Sequence, residues 1–206
     1  MSRSRWPITA ATGGLLALAP VTAPPAGEAR QVGPAPAFEH VHALALDAAG
    51  RTLWLGAHSG LYRSEDGGRT WIAVSGPAGS HAPDVMAIAA HPHDPRVVYV
   101  GTHATGVLRT VDGGATWAPA NGGLGGLDVH GLAIDPNQPV KLHAAVRDGR
   151  PGLYRTVDGA GAWVRVDDGP AGETKVLASV SIPTGMGGIF LYAGTAGGLA
   201  RNPDCF

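Results

Sequence analysis

Histidine is unusually frequent in this sequence, which holds nine histidines although only 15% of its residues are charged. Imidazole nitrogens and carboxylate oxygens can move protons, ligate a transition metal or hydrogen-bond a ligand. Five histidines, two aspartates and one arginine fall at related positions of an internal repeat and are the candidates for such chemistry. These residues are His40, His42, His58, His103, His130, Asp84, Asp128 and Arg147.

Three uses of these side chains are open. They can form a solvated rim that is hydrogen-bonded locally. Asp84 and Asp128 can act as the acid and base of glycoside cleavage, and they are the candidates for catalytic residues. Neutral imidazoles and a carboxylate can hold a transition metal, and His40-Val41-His42 places two rings on one strand face. Because no pair of histidines lies on a rigid helix, we expect no metal and no cofactor.

Several other functions lack their sequence motifs. The chain contains no G-x-S-x-G, no phosphate-binding loop and no dinucleotide fingerprint. Its formal net charge of −1 argues against electrostatic binding of nucleic acid.

The candidates are positioned by a repeat of fixed length. Arg63-Ser64-Glu65-Asp66-Gly67-Gly68-Arg69-Thr70-Trp71 recurs at residues 109–117 and, in degraded form, at 155–163. The aspartates of the three copies, Asp66, Asp112 and Asp158, are spaced 46 residues apart. A fixed period in this range indicates a repeat architecture.

Each copy has the composition of a hairpin turn that hydrogen-bonds to itself. The carboxylate accepts bonds from the backbone N–H groups that follow, the hydroxyl does so more weakly, and glycine supplies positive φ. The tryptophan opens the next strand and covers its neighbours. We therefore expect structural roles for Ser64, Asp66, Gly68, Thr70 and Trp71, for Thr110, Asp112, Gly114, Thr116 and Trp117, and for Thr156, Asp158 and Trp163.

This S/T-x-D-x-G-x-T-W pattern resembles the Asp-box, or BNR, repeat of β-propellers, over roughly residues 40–201. Sialidases, sortilin-type receptors, xyloglucan-cleaving glycosidases and photosystem assembly factors carry such boxes. The opening Phe38-Glu39-His40-Val41-His42 is similar to bacterial BNR-repeat proteins assigned as glycosyl hydrolases. The resemblance implies that the box is a structural turn on the face away from any active site. The Arg-Ile-Pro motif of sialidases is absent here.

The predicted fold is all-β, a propeller of four-stranded blades with three complete blades and an incomplete fourth. The blades span about 38–78, 82–122, 127–169 and 174–206. Aligning the repeats brings three rows to the end opposite the boxes, which we call the histidine face. The rows are His40, Asp84, Asp128 and Lys175 at the start of the inner strands; His42, Met86, His130 and Leu177 two positions on; and His58, His103, Arg147 and Ala196 after the second strands.

The first residues differ in composition from the repeats. Residues 1–29 have a basic start, a short apolar run and a Pro/Ala-rich end, which predicts a signal peptide and export to the periplasm or exterior. The apolar run is too short for a stable transmembrane anchor. Residues 30–37 are expected to be a flexible linker.

From these features we expect an exported binding or interaction module, with a glycan or protein ligand. A glycoside hydrolase of exo-sialidase type is the alternative, and an assembly factor for a membrane complex is the second. The fourth repeat lacks its outer strand, so we further expect a fragment of a longer propeller or self-association through that blade.

Overall fold

The computed structural model describes residues 38–77, 83–166, 173–183 and 188–203, which form fifteen β-strands. The predicted signal peptide and linker lie outside the described residues. Blade 1 contains β1 (Val41–Leu46), β2 (Leu53–Ala57), β3 (Gly60–Ser64) and β4 (Ile72–Val74), and blade 2 contains β5 (Val85–Ala90), β6 (Val98–Thr102), β7 (Val107–Thr110) and β8 (Ala118–Pro119). Blade 3 contains β9 (Val129–Ile134), β10 (Leu142–Val146), β11 (Gly152–Thr156) and β12 (Val164–Val166). Blade 4 contains β13 (Thr174–Pro183), β14 (Ile189–Thr195) and β15 (Gly198–Pro203).

Each blade is an antiparallel sheet whose strands pair in chain order. The first three sheets have four strands, and the fourth has three strands among the described residues. The predicted all-β propeller is thereby confirmed. No helix in the described part of the chain is long and apolar enough to cross a membrane.

The cores of the molecule lie between blades, because each sheet covers the next one. Trp54 of blade 1 packs with Trp117 of blade 2, their ring centroids 6.0 Å apart and their planes nearly perpendicular. Three such cores join successive blades. Their members include Trp54, Leu61, Val85, Val98 and Leu108 between blades 1 and 2; Tyr99, Val129, Leu132, Leu142 and Trp163 between blades 2 and 3; and Leu153, Leu177, Leu191 and Ala193 between blades 3 and 4.

Two glycines allow the inner strand of one blade to approach the second strand of the blade before it. A Cβ at Gly56 would lie 2.5 Å from Cγ1 of Val85, and a Cβ at Gly101 would lie 2.8 Å from the carbonyl oxygen of Val129. No side chain fits at these distances, so the close contact between blades requires glycine at both positions.

The inner strand of blade 1 carries exposed apolar side chains. Leu44 is 64% exposed and Leu46 is 52% exposed. The equivalent Leu132 in blade 3 is buried against blade 2. The outward face of β1 is therefore an apolar surface.

The repeated turns at residues 64–71, 110–117 and 156–163, which we call the Asp turns, hydrogen-bond to themselves. Oδ1 of Asp66 accepts from the backbone N–H groups of Arg69 and Thr70 at 2.9 Å, and its Oδ2 accepts from the Thr70 hydroxyl at 2.7 Å. The Ser64 hydroxyl donates to Asp66 and accepts from the N–H of Gly68. Corresponding bonds surround Asp112 and Asp158.

The third Asp turn keeps the backbone of the other two without their second glycine. Gly68 and Gly114 have φ of 84° and 88°, and Ala160 at the same position has φ of 69°. Alanine adopts this left-handed region at an energetic cost. Because Ala160 is buried in the core between blades 2 and 3, packing compensates for the strain.

In blades 1 to 3, the turns between the first two strands lie at the same end as the Asp turns. Oδ1 of Asp47 and of Asp135 accepts backbone N–H bonds there. His91 has the equivalent position in blade 2, and its Nδ1 accepts from the N–H groups of His93 and Asp94. His91 is therefore a turn residue, distant in the topology from the histidine face.

We predict that Asp66→Ala and Asp112→Ala each lower the melting temperature by a few degrees, because backbone and hydroxyl donors lose their acceptor. The exposed neighbour Glu65, whose carboxylate lies 3.7 Å from the guanidinium of Arg63, supplies the matched control, and Glu65→Ala should melt like the wild type. Equal melting of Asp66→Ala and Glu65→Ala would show that the turn bonds do not stabilise the fold.

The same variants have a defined pH dependence. Hydrogen bonds from Thr70 and Thr116 lower the pKa of Asp66 and Asp112 from 3.8 to about 2. A depressed folded pKa gives a stabilisation that is present above the unfolded pKa and lost as the pH falls through the folded one. The melting difference between wild type and Asp66→Ala should therefore be complete above pH 5 and vanish near pH 2.

His143 makes the fold sensitive to mild acid. Burial on β10 lowers the pKa of its imidazole to about 4, the Arg155 cation adds to the effect and Asp135 opposes it. Since the unfolded chain binds the proton first, we predict that stability falls between pH 6.5 and pH 4, by about 3 kcal/mol from this residue. Urea unfolding at a series of pH values gives the free energy of unfolding as a function of pH. In His143→Gln this free energy should change less between pH 6.5 and pH 4 than in the wild type. The same change with pH in both proteins would contradict the prediction.

Candidate functional site

The histidine face is built from the start of each inner strand and the residue that follows each second strand. The structure shifts the blade 4 members of two predicted rows. Thr174 pairs with Thr195 as Val129 pairs with Val146, and each of these inner strands has a register irregularity near its start. Glu173, and not Lys175, therefore corresponds to Asp84 and Asp128, and Lys175, and not Leu177, corresponds to His130. The predicted alignment was wrong by two residues in blade 4.

Side chains on this face join successive blades through a recurring pair. The residue after the second strand of one blade contacts the carboxylate that precedes the inner strand of the next. Nδ1 of His58 lies 2.5 Å from Oδ2 of Asp84, and Nδ1 of His103 lies 3.0 Å from Oδ1 of Asp128. Arg147 and Glu173 form the third pair. We call these three contacts the cross-blade pairs.

Backbone bonds position the histidine or arginine of each pair. The N–H of His103 donates to the carbonyl of Asp84, and the N–H of Arg147 donates to the carbonyl of Asp128. Each loop residue is thus tied to its own blade by its backbone while its side chain reaches the next blade. The three pairs form one band across the inner strands.

The inner-strand histidines extend this band. Nε2 of His130 lies 2.7 Å from Oδ1 of Asp128, so that one carboxylate oxygen is within reach of two imidazoles. Nη1 of Arg147 lies 3.0 Å from the ring nitrogens of His130. In blade 1 the ring of His42 lies 4.6 Å from that of His58, and His40 lies 5.1 Å from it on another side.

The surroundings of two of these histidines favour the neutral imidazole. Loss of water lowers the pKa of His42, and the neighbouring His58 lowers it further. Burial likewise lowers the pKa of His130, where Arg147 adds to the effect and Asp128 opposes it.

The structure brings together along this band the eight candidates His40, His42, His58, His103, His130, Asp84, Asp128 and Arg147. It also adds Glu173, which the sequence comparison missed because it placed the start of the fourth inner strand two residues too late. Two compact groups result, each of two imidazoles and one carboxylate whose ligand atoms lie within 4.8 Å of one another. They are His42, His58 and Asp84, here called group 1, and His103, Asp128 and His130, here called group 2.

Asp84 and Asp128 do not form a pair with each other. Each is engaged by a histidine of the preceding blade, at a different interface between blades. A cavity of 430 Å³ lies beside the second Asp turn and is lined by Arg109, Thr116, Trp117 and Ala160. It belongs to the opposite end of the blades.

Comparison with known proteins supports the fold. No protein-family model matches the sequence, and no curated protein does. Among solved structures, the GH74 xyloglucanase from Xanthomonas campestris is similar with a TM-score of 0.61 and 22% identity over 79% of this chain. The extracellular domain of a putative hybrid two-component system from B. thetaiotaomicron is similar with a TM-score of 0.57 and 16% identity over 81% of this chain. YCF48 bound to D1 peptide is similar with a TM-score of 0.50 and 17% identity over 82% of this chain.

These neighbours establish the class of protein, a β-propeller. The chain spans only 29%, 23% and 55% of the three solved chains, respectively. They include an enzyme and a protein seen with a peptide, so the shared fold leaves the activity open.

We predict that the cross-blade pairs differ in their contribution to stability. Asp128 is 16% exposed and contacts two imidazoles, so Asp128→Ala should lower the free energy of unfolding by about 1.5–3 kcal/mol. Arg147 and Glu173 are 36% and 41% exposed, and their coupling in a double-mutant cycle should not exceed about 1 kcal/mol. Urea unfolding of the five proteins measures both quantities. A larger coupling for Arg147 and Glu173 than the loss in Asp128→Ala would reverse this order.

Proposed function

We propose that this chain is an exported interaction module that binds a segment of a partner protein on its histidine face. The observation that carries the proposal is the band of cross-blade pairs. It offers donors and acceptors over a broad surface, and His58, His103 and Glu173 keep 41%, 57% and 41% of their side chains exposed.

A binding role explains why the carboxylates are arranged as they are. Glycoside hydrolysis needs two carboxyl groups that flank one bond, with a water or the sugar between them. On this face Asp84, Asp128 and Glu173 each contact an imidazole or guanidinium group of the neighbouring blade. Their oxygens serve the joints between blades, and such a surface suits recognition through many hydrogen bonds.

A peptide is the ligand that the surface and one comparison favour together. YCF48, a propeller of similar fold, is known bound to a D1 peptide. An extended peptide presents alternating N–H and C=O groups that a row of imidazoles, carboxylates and a guanidinium can pair. The composition of residues 1–29 supports export.

Glycoside hydrolysis is the second candidate. The similarity to a GH74 xyloglucanase favours it, because its TM-score of 0.61 is higher than the 0.50 of YCF48. A role as assembly factor for a membrane complex is a special form of the first proposal, which the exposed apolar side chains of Leu44 and Leu46 favour.

The test uses a displayed library of extended peptides, with xyloglucan and sialyllactose as hydrolysis substrates. We predict selected peptides that bind with a Kd in the micromolar range, about −8 kcal/mol, and no release of reducing ends. His103→Ala should weaken peptide binding at least tenfold. The matched control His93→Ala, an exposed histidine at the opposite end, should bind like the wild type.

Two outcomes would overturn the proposal. Peptide binding that survives His103→Ala but not His93→Ala would move the site to the Asp-turn end. Sugar release that is abolished by Asp84→Asn or Asp128→Asn would make the protein a glycosidase.

A further inference from the structure

Group 1 and group 2 repeat the same donor set at two successive interfaces between blades. Each offers two imidazoles and one carboxylate within 4.8 Å of one another. Two nitrogens and one oxygen are a frequent ligand set for divalent transition metals, and three protein ligands leave a position open for water or another molecule. Ligand atoms around zinc at its usual bond lengths are about 3.3 Å apart, so small side-chain rotations suffice to close either group on a cation.

A fixed cation already occupies the surroundings of group 2. Nη1 of Arg147 lies 3.0 Å from the imidazole of His130, and this arginine remains charged at all relevant pH values. A divalent ion bound by His130 would lie only a few ångströms from that guanidinium, where repulsion between like charges is strong. His130 is also only 11% exposed. Group 2 is therefore a poor cation site.

Group 1 has no such arginine among its described contacts. The position that Arg147 holds beside His130 corresponds in blade 1 to His58, itself a ligand candidate. Asp84 has one oxygen paired with His58, while its Oδ1 is buried and has no hydrogen-bond partner in the described structure. A buried carboxylate oxygen without a partner is costly, and a cation would satisfy it. His40 adds a third imidazole close to His58.

We propose that His42, His58 and Asp84 bind one divalent transition-metal cation of the Zn²⁺ type at the interface between blades 1 and 2. Arg147 excludes a second cation from group 2 at the next interface. The metal has an open coordination position toward the exposed side of the face. The inference goes beyond the proposed function, because the cation binds without any peptide or glycan.

The experiment uses the full chain without an affinity tag, stripped with a chelator and titrated with Zn²⁺ alone in a calorimeter. The wild type should bind one equivalent. His42→Ala and His58→Ala should each weaken binding by more than the ~10–100-fold that changes outside the ligand shell cost. His103→Ala, the counterpart in group 2, and His93→Ala, at the opposite end, should keep the wild-type affinity.

Two further measurements keep the test independent of folding defects. Cu²⁺ bound to the wild type should show electron paramagnetic resonance splitting from two imidazole nitrogens, reduced to one in His42→Ala. Arg147→Gln should raise the stoichiometry from one equivalent to two, with melting curves confirming that the variant is folded.

The outcomes separate cleanly. Wild-type affinity in both His42→Ala and His58→Ala, or no Zn²⁺ binding by the wild type, would overturn the site. Two equivalents in the wild type, one of them lost in His103→Ala, would overturn the selection by Arg147. Either failure leaves peptide binding untouched, since that assay contains no metal.

Discussion

The contact between the inner strand of one blade and the second strand of the blade before it is the constraint on which the structure depends. A β-sheet with two apolar faces cannot bury either face within itself, so each blade needs a neighbour. Gly56 and Gly101 permit this contact because a side chain at either position would overlap the next inner strand. The buried Val85 and Val129 lie where these strands meet.

Given that contact, the two ends of the blades serve different purposes. At one end the Asp turns satisfy their own backbone groups, so each turn is stable as a local unit. At the other end the polar side chains bond between blades, as His103 does with Asp128. A residue there is held by two blades at once, which gives it a defined position that a free loop lacks.

Variation in the cross-blade pairs is what gives the histidine face its chemistry. The three pairs share one geometry but use histidine twice and arginine once. Arginine gives a permanent charge and histidine a ring that can be neutral, so neighbouring interfaces acquire different affinities for cations and ligands. The solved propellers that resemble this chain share its fold at no more than 22% identity, and their sites are not transferred by that likeness.

The sequence by itself determined the fold class and the spacing of the repeated turns. These properties are local: a turn such as 64–71 contains its own donors and acceptors, and a 46-residue period needs no knowledge of distant contacts. It also indicated which histidines share one end of the blades, because strand direction alternates regularly. Only the tertiary structure decided how those residues pair. The cross-blade pairs depend on strand register and on the rotation between blades, and the pairing of Thr174 with Thr195 places Glu173 in the carboxylate position. The same long-range geometry placed Arg147 beside His130, whereas the contacts of group 1 among the described residues include no arginine.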